Sequence, residues 1–367
     1  MRVLLAPNAF KGTLSAQAAS DALARGLRRA RPGWALDPLP LADGGPGTVA
    51  ALHAALGGRL RSVSVEDALG RRRSAQWLDL PRGLAVVESA QALGLEWIKP
   101  RERDALAAGS EGLGRLLLAV AEAGKRELLL GLGGSACTDG GAGLARALGW
   151  RFLDRGGEDL APGGGALAGL WAVLSPRRPR LGGLKLTVLC DVDAPLFGAR
   201  GAARVYAPQK GASPAEVRRL EQGLRRLAAC AAPALATVPG AGAAGGLGFG
   251  LMAFAGARLR PGSETLLRLS GVAGRLKRSQ VLVTGEGRLD AQSLQGKLPA
   301  ALAAAAQKEG RPCVAVVGRC DLKPAAWKRA GFSAVLEAGG ANPSKAAAAL
   351  KSIGTALARQ LELAAEA

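Results

Sequence analysis

Polar and charged residues follow five apolar segments of this chain, at points where the strands of a parallel sheet would end. The five loops are residues 8–13, 42–48, 131–143, 190–193 and 284–290. In a parallel sheet the carboxyl ends of the strands point into one crevice, and ligands bind there. Carboxylates in such a crevice can hold Mg²⁺ or accept a proton, and cations can hold a phosphoryl group. The pattern therefore indicates chemistry on an anionic substrate.

Ten side chains in these loops and nearby segments have the charges that phosphoryl transfer requires. The acidic candidates are Asp43, Asp139, Asp191, Asp193, Glu286 and Asp290, and the basic candidates are Lys11, Lys210, Arg288 and Lys297. Any one of them could be a helix cap or a surface ion pair. Their clustering at several predicted strand ends favours a shared site.

Two glycine-rich segments are candidates for anion binding through the backbone. One contains Gly133, Gly134 and Ser135, and the other contains Gly245 and Gly246. Glycine-rich loops that precede helices present N–H groups that hold phosphate or carboxylate.

The first of these segments also suggests an alternative function. Gly131, Gly133 and Ala136 match a dinucleotide-binding fingerprint, and Asp154 lies about 20 residues further on. This match is the basis for a second hypothesis, an NAD-dependent oxidoreductase.

The apolar pattern predicts an α/β fold. Short apolar runs at residues 3–6, 281–284, 314–317 and 334–336 are separated by stretches of helical spacing, which indicates strand-loop-helix units. From about residue 60 the pattern changes to that of a different sheet. We predict a Rossmann-like, doubly wound parallel-sheet domain built from both chain ends (1–60 and 276–367), with an inserted second α/β domain (61–275). We expect the active site in the cleft between them.

Composition argues against several other classes of protein. The 367 residues include five cysteines without a Cys-x-x-Cys pair and a single histidine, His53, which disfavours a disulfide framework, a zinc site and a Ser-His-Asp triad. No apolar run reaches the ~18–20 residues of a membrane span, so we expect a cytoplasmic protein without membrane partners.

The net charge of +20 leaves open a polyanion-binding protein, which would bind duplex DNA tightly and with strong salt sensitivity. Aromatic residues are 4% of the chain, so no specific nucleic-acid partner is expected.

Seven segments of the chain resemble the bacterial glycerate kinases of the type that includes the glyoxylate-pathway enzymes. The matching segments are APNAFKG (6–12), ADGGPGT (42–48), GGSACTDGGAG (133–143), CDVDAPL (190–196), PQKGA (208–212), GAAGGLG (242–248) and TGEGRLD (284–290). The chain departs from the family pattern at Asn8, Ala9, Pro46, Thr138, Ala194 and Leu298, where the family commonly has Asp, Ser, Glu, Asn, Asn and Thr.

The resemblance implies ATP-dependent phosphorylation of D-glycerate with Mg²⁺, usually at the 2-hydroxyl to give 2-phosphoglycerate. A glycerate 3-kinase, or a kinase of a related small hydroxy acid, is the nearest alternative. The oligomeric state stays open.

We assign roles to these residues as hypotheses. Asp191 orients or deprotonates the 2-hydroxyl, Lys11 and Arg288 contact the substrate carboxylate or the transferring phosphate, and Asp193 and Glu286 contact Mg²⁺. The remaining predicted binding residues are Asn8, Asp43, Gly133, Gly134, Ser135, Asp139, Lys210, Gly245, Gly246, Asp290 and Lys297.

Overall fold

The computed structural model describes residues 1–10, 12–178, 180–294, 297–339 and 343–366. The strands are β1 (Arg2–Pro7), β2 (Ala35–Pro38), β3 (Arg59–Glu66), β4 (Arg72–Asp79), β5 (Leu84–Glu88), β6 (Glu127–Gly131), β7 (Arg151–Leu153), β8 (Ala172–Leu174), β9 (Lys185–Leu189), β10 (Arg258–Arg260), β11 (Val281–Leu289), β12 (Cys313–Cys320) and β13 (Ala334–Glu337). The α-helices are α1 (Ala16–Ala30), α2 (Thr48–Leu56), α3 (Ser89–Leu93), α4 (Glu111–Glu122), α5 (Ala142–Ala147), α6 (Ala202–Tyr206), α7 (Pro214–Ala231), α8 (Ala243–Ala255), α9 (Gly262–Leu269), α10 (Val272–Lys277), α11 (Leu298–Lys308), α12 (Pro324–Arg329) and α13 (Pro343–Glu366).

The chain divides into two compact units. Unit 1 comprises Met1–Asp43, Ala50–Gly57 and Ser263–Ala367, and unit 2 comprises Gly44–Val49 and Gly58–Gly262. Unit 1 contains a five-stranded sheet in the order β13-β12-β11-β1-β2, and every neighbouring pair is parallel. Strands from both chain ends therefore form one sheet. The predicted boundaries at residues 60 and 276, and the predicted cleft, stay predictions.

Both faces of the unit 1 sheet are covered, because its central strands β1, β11 and β12 each contain a buried apolar run. Leu4 and Leu282 pack into a core on one face, and Val3 and Val283 pack into a core on the other. Continuous apolar strands of this kind are typical of parallel sheets with helices on both sides. The predicted doubly wound α/β architecture is thereby confirmed.

Helix α1 lies against α13 on one of these faces. Its amino end is capped by Ser15, whose hydroxyl accepts a hydrogen bond from the Ala18 N–H at 3.1 Å. Gly26 allows the close approach, since a Cβ there would lie 2.1 Å from the Lys351 carbonyl oxygen. A side chain at position 26 would push the two helices apart.

Unit 2 contains a six-stranded sheet in the order β10-β9-β6-β5-β4-β3, and a separate antiparallel pair, β7-β8. The four strands from β10 to β5 are parallel, whereas β4 is antiparallel to β5 and to β3. The apolar pattern of the sequence did not predict β4. Arg72 and Arg73 begin this strand, and the Arg73 guanidinium lies 3.8 Å from the Trp97 ring centroid.

Among the helices described, none is both long and apolar enough to cross a membrane.

Candidate active site

A pocket of about 770 Å³ opens in unit 1 at the carboxyl ends of β1 and β11. The two strands are neighbours, but the chain leaves β1 through α1 toward β2, whereas it leaves β11 through α11 toward β12 on the opposite side. This reversal of direction is a topological switch point, where open α/β sheets bind their ligands. The fold thus places the pocket where a ligand is expected.

Five of the predicted site residues line this pocket. They are Asn8, Glu286, Arg288, Asp290 and Lys297. Asn8 follows β1 and is buried, and its side-chain oxygen accepts the Ala9 N–H at 2.7 Å. Asp290 accepts the N–H groups of Gln292 and Ser293 at 2.9 and 3.1 Å, so it shapes the turn that leads to Lys297. Lys11, which the sequence analysis made a catalytic candidate, lies outside the described residues.

The pocket wall also contains a second arginine that the sequence analysis missed. Arg288 on β11 and Arg319 on β12 are directly paired in the parallel register. Both guanidinium groups contact Asp321: Arg288 Nε donates to Oδ2 at 2.6 Å, and Arg319 Nε donates to Oδ1 at 2.6 Å. The Arg288 hydrogen bond, supported by that of Arg319, lowers the pKa of Asp321. The arginine side chains remain 64% and 74% exposed, so donors are left for an anionic ligand.

Asp191 and Asp193 follow β9 in unit 2 and differ in their surroundings. Asp191 is half-buried, and its Oδ1 accepts the Gly262 N–H at 2.7 Å. Asp193 is exposed, with its Oδ2 3.4 Å from Arg200 Nη1. The structure therefore holds Asp191 firmly and leaves Asp193 at the surface. The predicted catalytic and metal-binding roles of these two residues stay predictions.

Asp139 is fully buried in the loop that follows β6, where it holds the beginnings of two helices. Its carboxylate accepts four hydrogen bonds, from the N–H and hydroxyl of Ser110 (2.8 and 2.7 Å) and from the N–H groups of Gly141 (3.1 Å) and Gly143 (3.0 Å). Ser110 precedes α4, and Gly141 and Gly143 lie at the start of α5. In this structure Asp139 supports the loop.

The second glycine-rich segment packs against the same loop. Ala244, Gly245 and Gly246 all have positive φ (54°, 79° and 88°), a conformation that glycine adopts without steric cost. A Cβ on Gly245 would lie 2.1 Å from the Cys137 carbonyl oxygen. Ser135 donates its hydroxyl hydrogen to the Ala244 carbonyl at 2.9 Å. This hydrogen bond connects the two glycine-rich segments that were predicted to bind anions.

Lys210 lies beneath these two loops and is only 3% exposed. Its ammonium donates a hydrogen bond of 2.5 Å to the Cys137 carbonyl oxygen. Burial lowers the pKa of Lys210, and the negative charge of Asp139 is among the influences that oppose this shift. The structure thus gives Lys210 a loop-supporting contact, and its predicted contact with substrate stays a prediction.

Replacing Lys210 with Met is expected to lower the free energy of unfolding by about 1–3 kcal/mol, because the buried Cys137 carbonyl loses its partner. The measurement is the shift of the urea-unfolding transition. Lys185→Met removes an exposed lysine of the same unit and is the matched control, expected to change stability by less than about 0.5 kcal/mol. Equal stability of the two variants would contradict the structural role.

Four of the six departures from the family pattern, Pro46, Thr138, Ala194 and Leu298, are not among the residues that line the pocket. Thr138, Ala194 and Leu298 are buried, and Pro46 is exposed beside Gly134. Asn8 and Ala9 line the pocket. An amide at position 8 can hydrogen-bond a hydroxyl but cannot act as a base.

The structure argues against the dinucleotide fingerprint at Gly131. The fingerprint requires a helix that opens directly after the glycine-rich turn, whereas α5 begins only at Ala142. Asp154 follows β7, which belongs to the separate two-stranded sheet, and its Oδ1 accepts the N–H groups of Gly156 and Glu158. The oxidoreductase hypothesis therefore loses the motif on which it was based.

Three comparisons identify relatives of this chain. The model of the glycerate kinase family matches residues 3–367. The chain is 42% identical over 322 residues to the glycerate kinase of Halalkalibacterium halodurans, covering 86% of this chain and 85% of that protein. It is 40% identical over 324 residues to the glycerate 2-kinase of Escherichia coli K12, covering 87% and 85%. The crystal structure of a proposed glycerate kinase 2 from Salmonella typhimurium LT2 matches with a TM-score of 0.84 at 34% identity, covering 100% of both chains.

These matches extend over both units, and the sequence motifs had suggested the same relatives. The chain therefore belongs to the glycerate kinase family, and it is an enzyme of the kinase class.

Proposed function

We propose that this protein transfers the γ-phosphoryl group of ATP to the 2-hydroxyl of D-glycerate, giving 2-phosphoglycerate and ADP. The observation that carries the proposal is the switch-point pocket of unit 1, lined by both cations and carboxylates, in a chain of the glycerate kinase family. The relative named glycerate 2-kinase supports the 2-position.

The pocket suits a nucleotide in size and chemistry. Its volume of about 770 Å³ lies within the ~300–1,000 Å³ range of small-molecule and cofactor sites. Arg288, Arg319 and Lys297 supply donors for phosphate oxygens, and Phe10 and Leu350 supply apolar surface. Arginine pairs recognise phosphate through several parallel hydrogen bonds. We therefore assign the ATP phosphates to the arginine side of this pocket.

Glu286 is the residue of the pocket that would contact Mg²⁺. Within the described ranges, no group of three or more His, Cys, Asp or Glu side chains could hold a metal ion by itself. Mg²⁺ bound with ATP needs only one or two carboxylates, because the phosphates and waters complete its coordination. The half-buried Glu286 fits this requirement. When bound, Mg²⁺ would neutralise part of the negative charge on the phosphate oxygens.

Asp191 is the carboxylate to which we assign the proton of the acceptor hydroxyl. The new bond joins the glycerate 2-oxygen to the γ-phosphorus as the bond between that phosphorus and the β–γ bridging oxygen of ATP breaks. The hydroxyl proton passes to Asp191, and ADP leaves with the bridging oxygen. The hydrogen bond from Gly262 N–H fixes Oδ1, so the carboxylate has a defined orientation before substrate binds.

Replacing Arg319 with Gln is expected to raise the KM for ATP by about tenfold or more, because a charge-assisted hydrogen bond to phosphate is lost. Steady-state kinetics with ATP as the varied substrate measure this. Arg29→Gln removes an exposed arginine from the last turn of α1 and serves as the control. A KM for ATP equal to that of the control would show that Arg319 does not contribute to ATP binding.

ADP release tests the proposed function as a whole. The purified protein is supplied with ATP, Mg²⁺ and one of several small acids: D-glycerate, L-lactate, glycolate, tartronate or hydroxypyruvate. We expect ADP formation that depends on D-glycerate and stops when EDTA removes the metal. Faster turnover of another hydroxy acid would overturn the substrate assignment, and turnover in EDTA would overturn the assignment of Mg²⁺.

A further inference from the structure

Glu88 and Ser89 are adjacent buried residues at the point where β5 ends and α3 begins, and the sequence analysis assigned a function to neither. Glu88 is 2% exposed. Its Oε2 accepts the Gly47 N–H at 3.0 Å, and its Oε1 accepts the Val49 N–H at 2.5 Å. Both donors belong to the beginning of α2, where a helix leaves N–H groups without partners. The carboxylate therefore holds the loop Gly44–Val49 in place.

Ser89 holds a second loop in the same way. Its hydroxyl accepts the Gly133 N–H at 3.2 Å and donates to the Gly133 carbonyl oxygen at 3.1 Å. Gly133 lies in the loop 131–135, which follows β6, the neighbour of β5 in the sheet. Two consecutive side chains thus bind two different loops of unit 2.

The two loops also touch each other directly. A Cβ on Gly131 would lie 2.3 Å from the Gly44 carbonyl oxygen, and a Cβ on Gly133 would lie 3.1 Å from Gly45 Cα. Because the backbones are in contact, a displacement of one loop displaces the other. The positions of the Gly133 and Gly134 amides therefore depend on both Glu88 and Ser89.

We propose that Glu88 and Ser89 are positioning residues for the kinase reaction: together they fix the loops Gly44–Val49 and 131–135 so that the glycine-rich backbone is preorganised for an anionic substrate. The proposal rests on the proposed function, since it takes loop 131–135 as part of the substrate site. Both side chains are buried and bonded to backbone, so they act through the loops and do not touch substrate.

We call the contacts of Glu88 and Ser89 with the two loops the clamp. Because Glu88 can carry a charge, the clamp is sensitive to pH. Burial raises the pKa of Glu88 to about 7, the hydrogen bonds from Val49 and Gly47 oppose this, and the negative charge of Glu96 adds to it. Above pH 7 the carboxylate is ionised, and each of its oxygens accepts a hydrogen bond from an N–H group. Below pH 7 one oxygen carries a proton, and one of the two hydrogen bonds weakens. Activity should therefore fall as the pH decreases through about 7.

The test compares Glu88→Gln with the wild-type protein in kcat/KM for D-glycerate from pH 5.5 to 9. The amide keeps the size of the carboxylate, but its NH₂ group faces one of the two N–H donors. We expect kcat/KM to fall by about tenfold or more at pH 8. We also expect the decrease of kcat/KM below about pH 7, the acid limb of the pH profile, to disappear. Glu96→Gln changes an exposed neighbour and is the matched control, expected to keep the limb and to shift it toward lower pH. A folded Glu88→Gln protein with wild-type kinetics and an unchanged limb would overturn the proposal.

Hydrogen exchange separates a failure of this proposal from a failure of the proposed function. In the whole protein without substrate, we expect Glu88→Gln to speed amide exchange about tenfold or more in both loops, 44–49 and 131–135. Ser89→Ala, which removes two hydrogen bonds and little volume, should do the same, and it serves as the second variant if Glu88→Gln fails to fold. Unchanged exchange in both loops would overturn the clamp even if glycerate is the substrate. Faster exchange without any glycerate-dependent activity would leave the clamp in place and refute the proposed substrate.

Discussion

Asp191→Asn is expected to lower kcat by about 10²- to 10⁴-fold, the range that a positioned general base contributes. The substitution removes the ability to accept a proton but keeps a side-chain oxygen for the Gly262 N–H, which Asp191 now accepts at 2.7 Å. The fold of the loop that follows β9 should therefore survive. The measurement is kcat for ADP formation at saturating ATP and D-glycerate, together with a circular dichroism spectrum.

Asp159→Asn is the control for this experiment. Asp159 lies in the same unit and is exposed, and its ion-pair partner Arg151 belongs to β7 of the separate two-stranded sheet. We expect it to leave kcat within about twofold of the wild type, since exposed ion pairs contribute little. If Asp191→Asn retains near-normal kcat, another group receives the hydroxyl proton and the assignment of Asp191 is wrong.

Asp139→Ala is expected to produce the largest loss of stability, more than about 4 kcal/mol. Hydrogen bonds to a charged group contribute about 1.5–3 kcal/mol each, and this carboxylate accepts four of them without solvent exposure. Its removal also leaves the N–H groups of Ser110 and Gly143 without this acceptor. Urea unfolding followed by tryptophan fluorescence measures the effect, because Trp77 and Trp150 report on unit 2.

Thr138→Val supplies a control at the adjacent position. Thr138 is equally buried, but its hydroxyl oxygen has no hydrogen-bond partner in the structure. Replacing an unpartnered buried hydroxyl with a methyl group should change stability by less than about 0.5 kcal/mol or increase it. A similar loss in both variants would mean that packing alone, and not the Asp139 hydrogen bonds, holds this loop.

The parallel strands β1 and β5 could be predicted from the sequence because each contains a short, continuous apolar run. Residues 84–87 are all apolar and lie in β5, and the run at 3–6 lies within β1. β4 escaped prediction because it begins with Arg72 and Arg73 and buries only one face. Its partner β3 is mostly exposed, so neither strand of this antiparallel hairpin is marked by a continuous apolar run.

Five residues that line the pocket could be named from the sequence, but their geometry could not. Arg288 stands in a recognisable motif, whereas Arg319 is identified only by the register that places it beside Arg288 on the next strand. Glu88 ends an apolar run and gives no local sign that it reaches Gly47 and Val49, about 40 residues earlier. Lys210 was predicted as a binding residue, and its burial and its contact with Cys137 depend on the packing of loops that are far apart in the chain.

The position of phosphorylation tests the central claim most directly. The protein is incubated with ATP, Mg²⁺ and D-glycerate, then with enolase alone or with enolase and phosphoglycerate mutase, and phosphoenolpyruvate is followed by its absorbance. Enolase acts on 2-phosphoglycerate, so we predict that phosphoenolpyruvate forms at the same rate without the mutase. A strict requirement for the mutase would show phosphorylation at the 3-hydroxyl and contradict the proposed reaction.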